Sequence, residues 1–132
     1  MSVFVDTSGL YAVLDAGDAC HRKAAAEWRS LCAGGEALVT TNYVLVETAA
    51  LLQHRLGLDA VRTLAQDIVP VLTVVWIGEE EHGAAMASVL SARARDLSLV
   101  DCATFLVMRR MHMERCFAFD AHFRAQGFHC VP

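Results

Sequence analysis

Residues 1–15 read MSVFVDTSGLYAVLD, and the fold turns on how this stretch is understood. Val3-Phe4-Val5 is a short unbroken apolar run, which suits a strand buried on both faces. It runs directly into Asp6, and Thr7-Ser8-Gly9 then opens a helix-like stretch. A buried strand followed at once by a helix is the start of a βαβ unit. A carboxylate at the tip of such a strand is costly to desolvate, so its placement asks for a chemical reason.

The alternation continues outward. Further β-like runs are Ala37–Thr40, Val71–Trp76 and Cys116–Phe119, with a fifth at His129–Val131. Helical stretches are expected over roughly Ser8–Leu14, His21–Cys32, Asn42–Leu56, Asp59–Val69, Glu79–Ala94 and Ser98–Met113. Gly34-Gly35 stops one helix, Gly57 caps another, and Asn42 is expected as an N-cap. Strands alternating with helices predict an α/β protein with a mostly parallel sheet. Ligands of such sheets bind beyond the carboxyl ends of the strands, where the chain direction switches. Asp6 follows the first strand, and Asp120 follows Cys116-Phe-Ala-Phe.

The chain has 132 residues, of which 55% are apolar. That suits one domain over 1–132 with a real core, and it argues against disorder. The longest uncharged stretch, Ile68–Gly78, is far short of the ~18 apolar residues a spanning helix needs. No basic region precedes the first apolar run, so the expectation is a cytoplasmic protein without membrane attachment. Five cysteines without a C-x-x-C spacing fit free thiols rather than a zinc ribbon or a disulfide framework. A net charge of −4 argues against a module that merely coats nucleic acid, though not against an enzyme that meets phosphates through metal ions.

Two more acids stand on apolar helices. In TTNYVLVETAALL, Glu47 is the only charged residue between Glu36 and Arg55. Tyr43, Val44, Ala50 and Leu51 flank it at helical spacing, and Leu45, Ala49, Leu52 and Leu56 make the other side apolar as well. A helix apolar all round is buried, so Glu47 is expected to be at least half-buried. In LSLVDCATFLVM, Asp101 has Leu97 one turn before it and Thr104, Phe105 and Met108 after it. Ionised carboxylates there cost several kcal/mol unless compensated. Lys23 is the only lysine, and no arginine lies within a turn of Glu47. A divalent cation bound by oxygen ligands is the natural compensation. Purely structural roles stay open: Asp6 as an N-cap, Asp101 closing the capping box Ser98-Leu-Val-Asp, Asp120 starting a turn.

Four blocks in this order, FVDTSGLYAVLD, TTNYVLVETAALL, RDLSLVDCATFLVMRR and FAFDAHFRAQGF, resemble the PIN-domain family, specifically its VapC-type toxins. The resemblance covers essentially the whole chain. It implies a three-layer α/β/α sandwich around a parallel sheet, with Asp6, Glu47, Asp101 and Asp120 meeting at one end. It also implies endonucleolytic cleavage of RNA with Mg²⁺, for which Mn²⁺ substitutes. Asp6 and Asp101 would be the metal ligands, and Glu47 and Asp120 would act through waters. Thr7 or Ser8 matches a hydroxyl residue that supports the first acid, and Asp96 stands where a peripheral acid or a helix-stop would. Many members carry a further acid two residues after the fourth; this chain has His122 there, which puts a second metal site in question.

The implied partners are an RNA substrate, a VapB-like antitoxin whose C-terminal segment covers the acidic cleft, and a second copy in a homodimer. Asp59–Val69 and Glu79–Ala94 are candidates for the antitoxin groove, and Arg93, Arg95, Arg109, Arg110 and Arg115 for an RNA backbone. Three rival functions fit parts of the same sequence. A phosphatase of similar build needs a second acid where Ser8 stands, and Lys23 is in the wrong helix. A catalytically silent partner-binding module does not need all four acids. A PIN nuclease of ordinary RNA processing has the same sequence signature as a toxin.

Overall fold

The computed structural model describes residues 1–132. Five strands, β1 (Ser2–Val5), β2 (Ala37–Thr41), β3 (Thr73–Val75), β4 (Arg115–Phe117) and β5 (His129–Val131), form one sheet in the order β3-β2-β1-β4-β5. Every pairing is parallel. Seven α-helices connect them: α1 (Thr7–Leu14), α2 (His21–Ala33), α3 (Asn42–Arg55), α4 (Leu58–Thr63), α5 (Glu79–Ala92), α6 (Leu99–Arg110) and α7 (Ala121–Ala125). This is an α/β sandwich with β1 at its centre.

Parallel pairing explains the unbroken apolar runs. Strands covered by helices on both faces cannot alternate polar and apolar residues. Val3, Phe4 and Val5 are fully buried, as are Cys116 and Phe117 beside them. Phe4 is in register with Cys116 on one side and Val39 on the other. After β1 the chain builds outward through β2 and β3, then returns to place β4 on the opposite side of β1. The winding direction therefore reverses between β1 and β4, the point beyond whose carboxyl ends such sheets take their ligands.

Three local expectations are corrected. The helix expected over Asp59–Val69 is an α-helix only to Thr63. A π-turn spans Leu64–Ile68 and a 3₁₀ turn Val69–Val71. Pro70 has no N–H to donate, so the regular hydrogen-bond ladder cannot continue through it, although Val69 before it keeps helical angles. Asn42 is not the N-cap of α3; Thr41 is, its hydroxyl accepting from Val44 N at 3.2 Å. The Asn42 amide instead accepts from Ile77 N at 2.6 Å, tying the start of α3 to the segment after β3. Finally, α3 is not buried all round. Val44, Thr48 and Leu52 face the core, whereas Val46 is 69% exposed and Ala50 is exposed. The apolar sequence of α3 thus covers a core face and an open face.

Gly57, with φ +91°, provides the left-handed turn that ends α3, and its N–H bonds back to Leu52 O. The short helix α7 has no counterpart among the expected elements. It is five residues long, too brief for a helical period to register in the sequence.

Candidate active site

The four acids gather at the carboxyl end of the sheet, and three of them, Asp6, Asp101 and Asp120, sit on short-range structural anchors. Asp6 is the N-cap of α1. Its Oδ2 accepts from Ser8 N at 3.1 Å and from Ser8 Oγ at 2.6 Å. Its own N–H donates to Phe117 O at 3.1 Å, which pins the end of β1 to the end of β4. Asp101 closes the capping box of α6: Asp101 N donates to Ser98 Oγ, and Ser98 N donates to Asp101 Oδ2 at 3.2 Å. Asp120 is the N-cap of α7, with Oδ1 accepting from His122 N at 2.9 Å. The capping roles foreseen for Asp6 and Asp101 are thus real, and they orient the side chains. Each of these three carboxylates is held through one oxygen, while its other oxygen receives no hydrogen bond from the protein.

Glu47 is positioned differently, by the two core-facing residues around it on α3. Thr48 Oγ1 donates to Thr7 Oγ1 at 2.9 Å, and Thr7 Oγ1 in turn reaches Val44 O at 3.4 Å. These buried bonds lock α3 against the start of α1 and bring half-buried Glu47 towards Asp6. The two hydroxyl residues after Asp6 have therefore divided the work. Ser8 orients the first acid, and Thr7 fixes the helix that carries the second.

The electrostatics follow from this proximity. Burial pushes Asp6, 4% exposed, up to about 6; the Ser8 bonds oppose this, and repulsion from Asp101 and Glu47 adds to it. Burial also raises Glu47, with Asp101 and Asp120 adding repulsion. Asp101 is raised first by burial and then by Asp120, against the Ser98 bonds. Buried carboxylates that repel one another need cations, yet no lysine or arginine is ion-paired with any of the four. The protein's own cationic contribution is His122.

His122 enters the site from α7, two residues after Asp120. Its Nδ1 lies 2.9 Å from Asp120 Oδ1 and 3.8 Å from Asp101 Oδ2, and its Nε2 lies 3.2 Å from Asp96 Oδ2. Partial burial opposes its charge, but Asp120, Asp96 and Asp101 together outweigh that and raise its pKa. Asp101, Asp120 and His122 each offer a ligand atom within 4.8 Å of the others; Asp6 and Glu47 are outside this tightest group. Carboxylate oxygens with one imidazole and no neutralising base fit a hard or borderline divalent cation. The only advance signal was the spacing Asp120-x-His122.

The arginines divide. Arg115 opens β4, at the far end of the sheet, and is paired with Glu36 at 2.8 Å. Arg110 faces Glu81, and Arg109 is spread over Phe105 and Phe128. Arg93 and Arg95 are exposed just ahead of Asp96. Arg124, unmarked by any motif, is exposed and lines a cavity together with Asp120. On the other flank, Tyr43, Val46, Leu99 and Val100 form an open apolar hollow with Glu47 at its edge.

Comparison with known proteins gives a consistent outcome. The family profile described as PIN domain matches residues 3–128. Two relatives from Mycobacterium tuberculosis, strains CDC 1551 / Oshkosh and ATCC 25618 / H37Rv, are both described as 23S rRNA-specific endonuclease VapC20. Each is 35% identical over 127 residues, covering 96% of this chain and 95% of its own. The crystal structure of Mycobacterium tuberculosis VapC20, described as a sarcin-ricin loop cleaving toxin, superimposes with a TM-score of 0.85. The identity is 34%, over 96% of this chain and 95% of that one. No helix is long and apolar enough to cross a membrane.

Proposed function

This chain belongs to the PIN domain family, and from that premise we propose that it is a divalent-metal-dependent endoribonuclease acting as the toxin of a toxin–antitoxin pair. The observation that supports this best is the gathering of Asp6, Glu47, Asp101 and Asp120 at the β1/β4 switch point, with repulsion among them and no lysine or arginine paired to any.

In this mechanism Asp6 and Asp101 would hold the ion. Magnesium is the expected ion, with manganese able to replace it. When bound, the ion offsets charge on the scissile phosphate and lowers the pKa of a nearby water. Ser8 keeps Asp6 oriented, so no reorganisation is needed as the reaction proceeds. Glu47, with its affinity for protons raised by burial, orients the attacking water and accepts its proton. Asp120 supports the same region through water. Water attacks phosphorus and the 3′-oxygen leaves, giving a 5′-phosphate and a 3′-hydroxyl. The RNA 2′-hydroxyl is not the nucleophile.

Arg124 beside Asp120, with Arg93 and Arg95 near Asp96, supplies positive charge for RNA phosphates in an otherwise acidic chain. The relatives' described target makes ribosomal RNA containing the sarcin-ricin loop the first substrate to try. A VapB-like antitoxin would silence the enzyme by covering the cleft, with the hollow of Tyr43, Val46, Leu99 and Val100 as the adjoining surface. The active assembly is proposed as a cytoplasmic homodimer of single-domain protomers spanning 1–132. The deciding experiment is incubation of the purified chain with ribosomes and Mg²⁺ or Mn²⁺, followed by sequencing of RNA ends. Discrete cuts that vanish in EDTA and in Asp101→Asn support the proposal; equal cutting by the Asp101→Asn protein overturns it. A nuclease of ordinary RNA processing is distinguished by the absence of any neighbouring antitoxin gene.

A further inference from the structure

We propose that His122 is a metal ligand through Nδ1, completing a nitrogen-containing site with Asp101 and Asp120 that favours Mn²⁺ over Mg²⁺. This rests on the metal-dependent reading above and changes one part of it: Asp120 would ligate directly rather than through water. Three observations carry it.

The first is orientation. Nε2 of His122 lies 3.2 Å from Asp96 Oδ2. A carboxylate oxygen accepts, so Nε2 carries a proton; a cation bound on the Nδ1 side would displace any proton from Nδ1 and take up its lone pair. A carboxylate fixing the outer nitrogen of an imidazole, with the inner nitrogen facing a ligand set, is the recurrent support for histidine at metals. The second is an orphaned atom. Although 29% of the side chain is exposed, Nδ1 itself is buried and has no hydrogen-bond partner. Buried unpartnered polar atoms are rare and call for an explanation.

The third is geometry. Nδ1 lies 2.9 Å from Asp120 Oδ1, yet the contact lacks the geometry of a hydrogen bond. Two donor atoms this close, with no hydrogen bond between them, are spaced as neighbouring ligands of one ion. Bonds of about 2.1 Å at right angles separate such atoms by about 3.0 Å. Asp101 Oδ2, 3.8 Å from Nδ1, completes the group.

Donor chemistry then sets the ion. Magnesium demands oxygen and keeps its waters, whereas imidazole suits later divalent metals, with manganese accepting both oxygen and nitrogen. A centre with aspartate at position 122 would lose that bias.

The test is spin-echo electron paramagnetic resonance on the intact chain loaded with Mn²⁺, alongside calorimetric titration with Mn²⁺ and Mg²⁺. The wild type should show nitrogen hyperfine coupling on the bound manganese. His122→Asp, which keeps a donor, should bind manganese without that coupling, and its preference for Mn²⁺ over Mg²⁺ should fall by about tenfold or more. Asp96→Ala should weaken Mn²⁺ binding by about tenfold. Manganese bound by the wild type with no nitrogen coupling, or an unchanged preference in His122→Asp, overturns this inference and leaves the nuclease reading standing. Failure of both proteins to bind either ion overturns the metal-dependent reading as well.

Discussion

Ser8 Oγ accepts a hydrogen bond from Phe119 N at 3.0 Å, across 111 positions of sequence. The same hydroxyl donates to Asp6 Oδ2 at 2.6 Å. One oxygen thus fixes the rotamer of the first acid and ties the first helix to the segment that delivers Asp120. The two acids at opposite ends of the chain share a single support.

Replacing Ser8 by Ala is therefore expected to cost both activity and stability. Asp6 loses its strongest donor and Phe119 N its acceptor. Cleavage at saturating metal should fall by about 10- to 100-fold. Unfolding free energy should drop by about 1–3 kcal/mol, the usual cost of unsatisfied, partly buried partners. Cleavage kinetics and urea denaturation on the same preparation measure the two losses.

Asp6→Asn should abolish cleavage and stabilise the metal-free protein at neutral pH. The Asp6 carboxyl is raised from 3.8 to about 6 in the folded chain. The native state then holds a proton that the unfolded state releases, so stability falls as pH rises from about 4 to 6 and stays low above that. The size is on the order of 3 kcal/mol. Metal-free wild type should accordingly melt at higher temperature at pH 5 than at pH 7. The asparagine variant should show a weaker dependence and melt above wild type at pH 7, and identical pH profiles for the two proteins would exclude this assignment.

Divalent ions should reverse the repulsion. At a concentration of 100 times its dissociation constant, an ion that binds only the native state adds about 2.7 kcal/mol. Melting of the wild type should shift upward with Mn²⁺ and return to baseline in EDTA. Asp101→Asn should reduce the shift sharply, because Asp101 belongs to the tightest ligand group.

Gly9→Ala tests the scaffold rather than the chemistry. A Cβ at Gly9 would lie 2.6 Å from both the Phe117 ring and the Phe117 carbonyl oxygen. That oxygen accepts from Asp6 N and cannot yield without separating β1 from β4. The variant should lose about 2 kcal/mol or more, read by chemical denaturation, and should lose cleavage with its stability.

Much of this protein follows from its amino-acid sequence alone. The strands announce themselves as unbroken apolar runs because both faces of a parallel sheet are covered. His129–Val131 and the core of each longer helix are legible from local period and caps. Asp6, Glu47, Asp101 and Asp120 stand out because a lone acid in apolar company is visible within a few residues. What escapes is what depends on distant segments meeting. Asn42 has the composition of a cap, but Ile77, 35 positions away, claims its amide. Val46 sits in an apolar helix, but no other element covers it. His122 counts as a departure from a motif until α7 turns its ring towards Asp120 and Asp101 while Asp96 approaches from behind. Periodicity and capping act over three or four residues and are written into the chain locally. Where a side chain points across a crevice is set by the docking of two or three elements, and only the folded chain decides that.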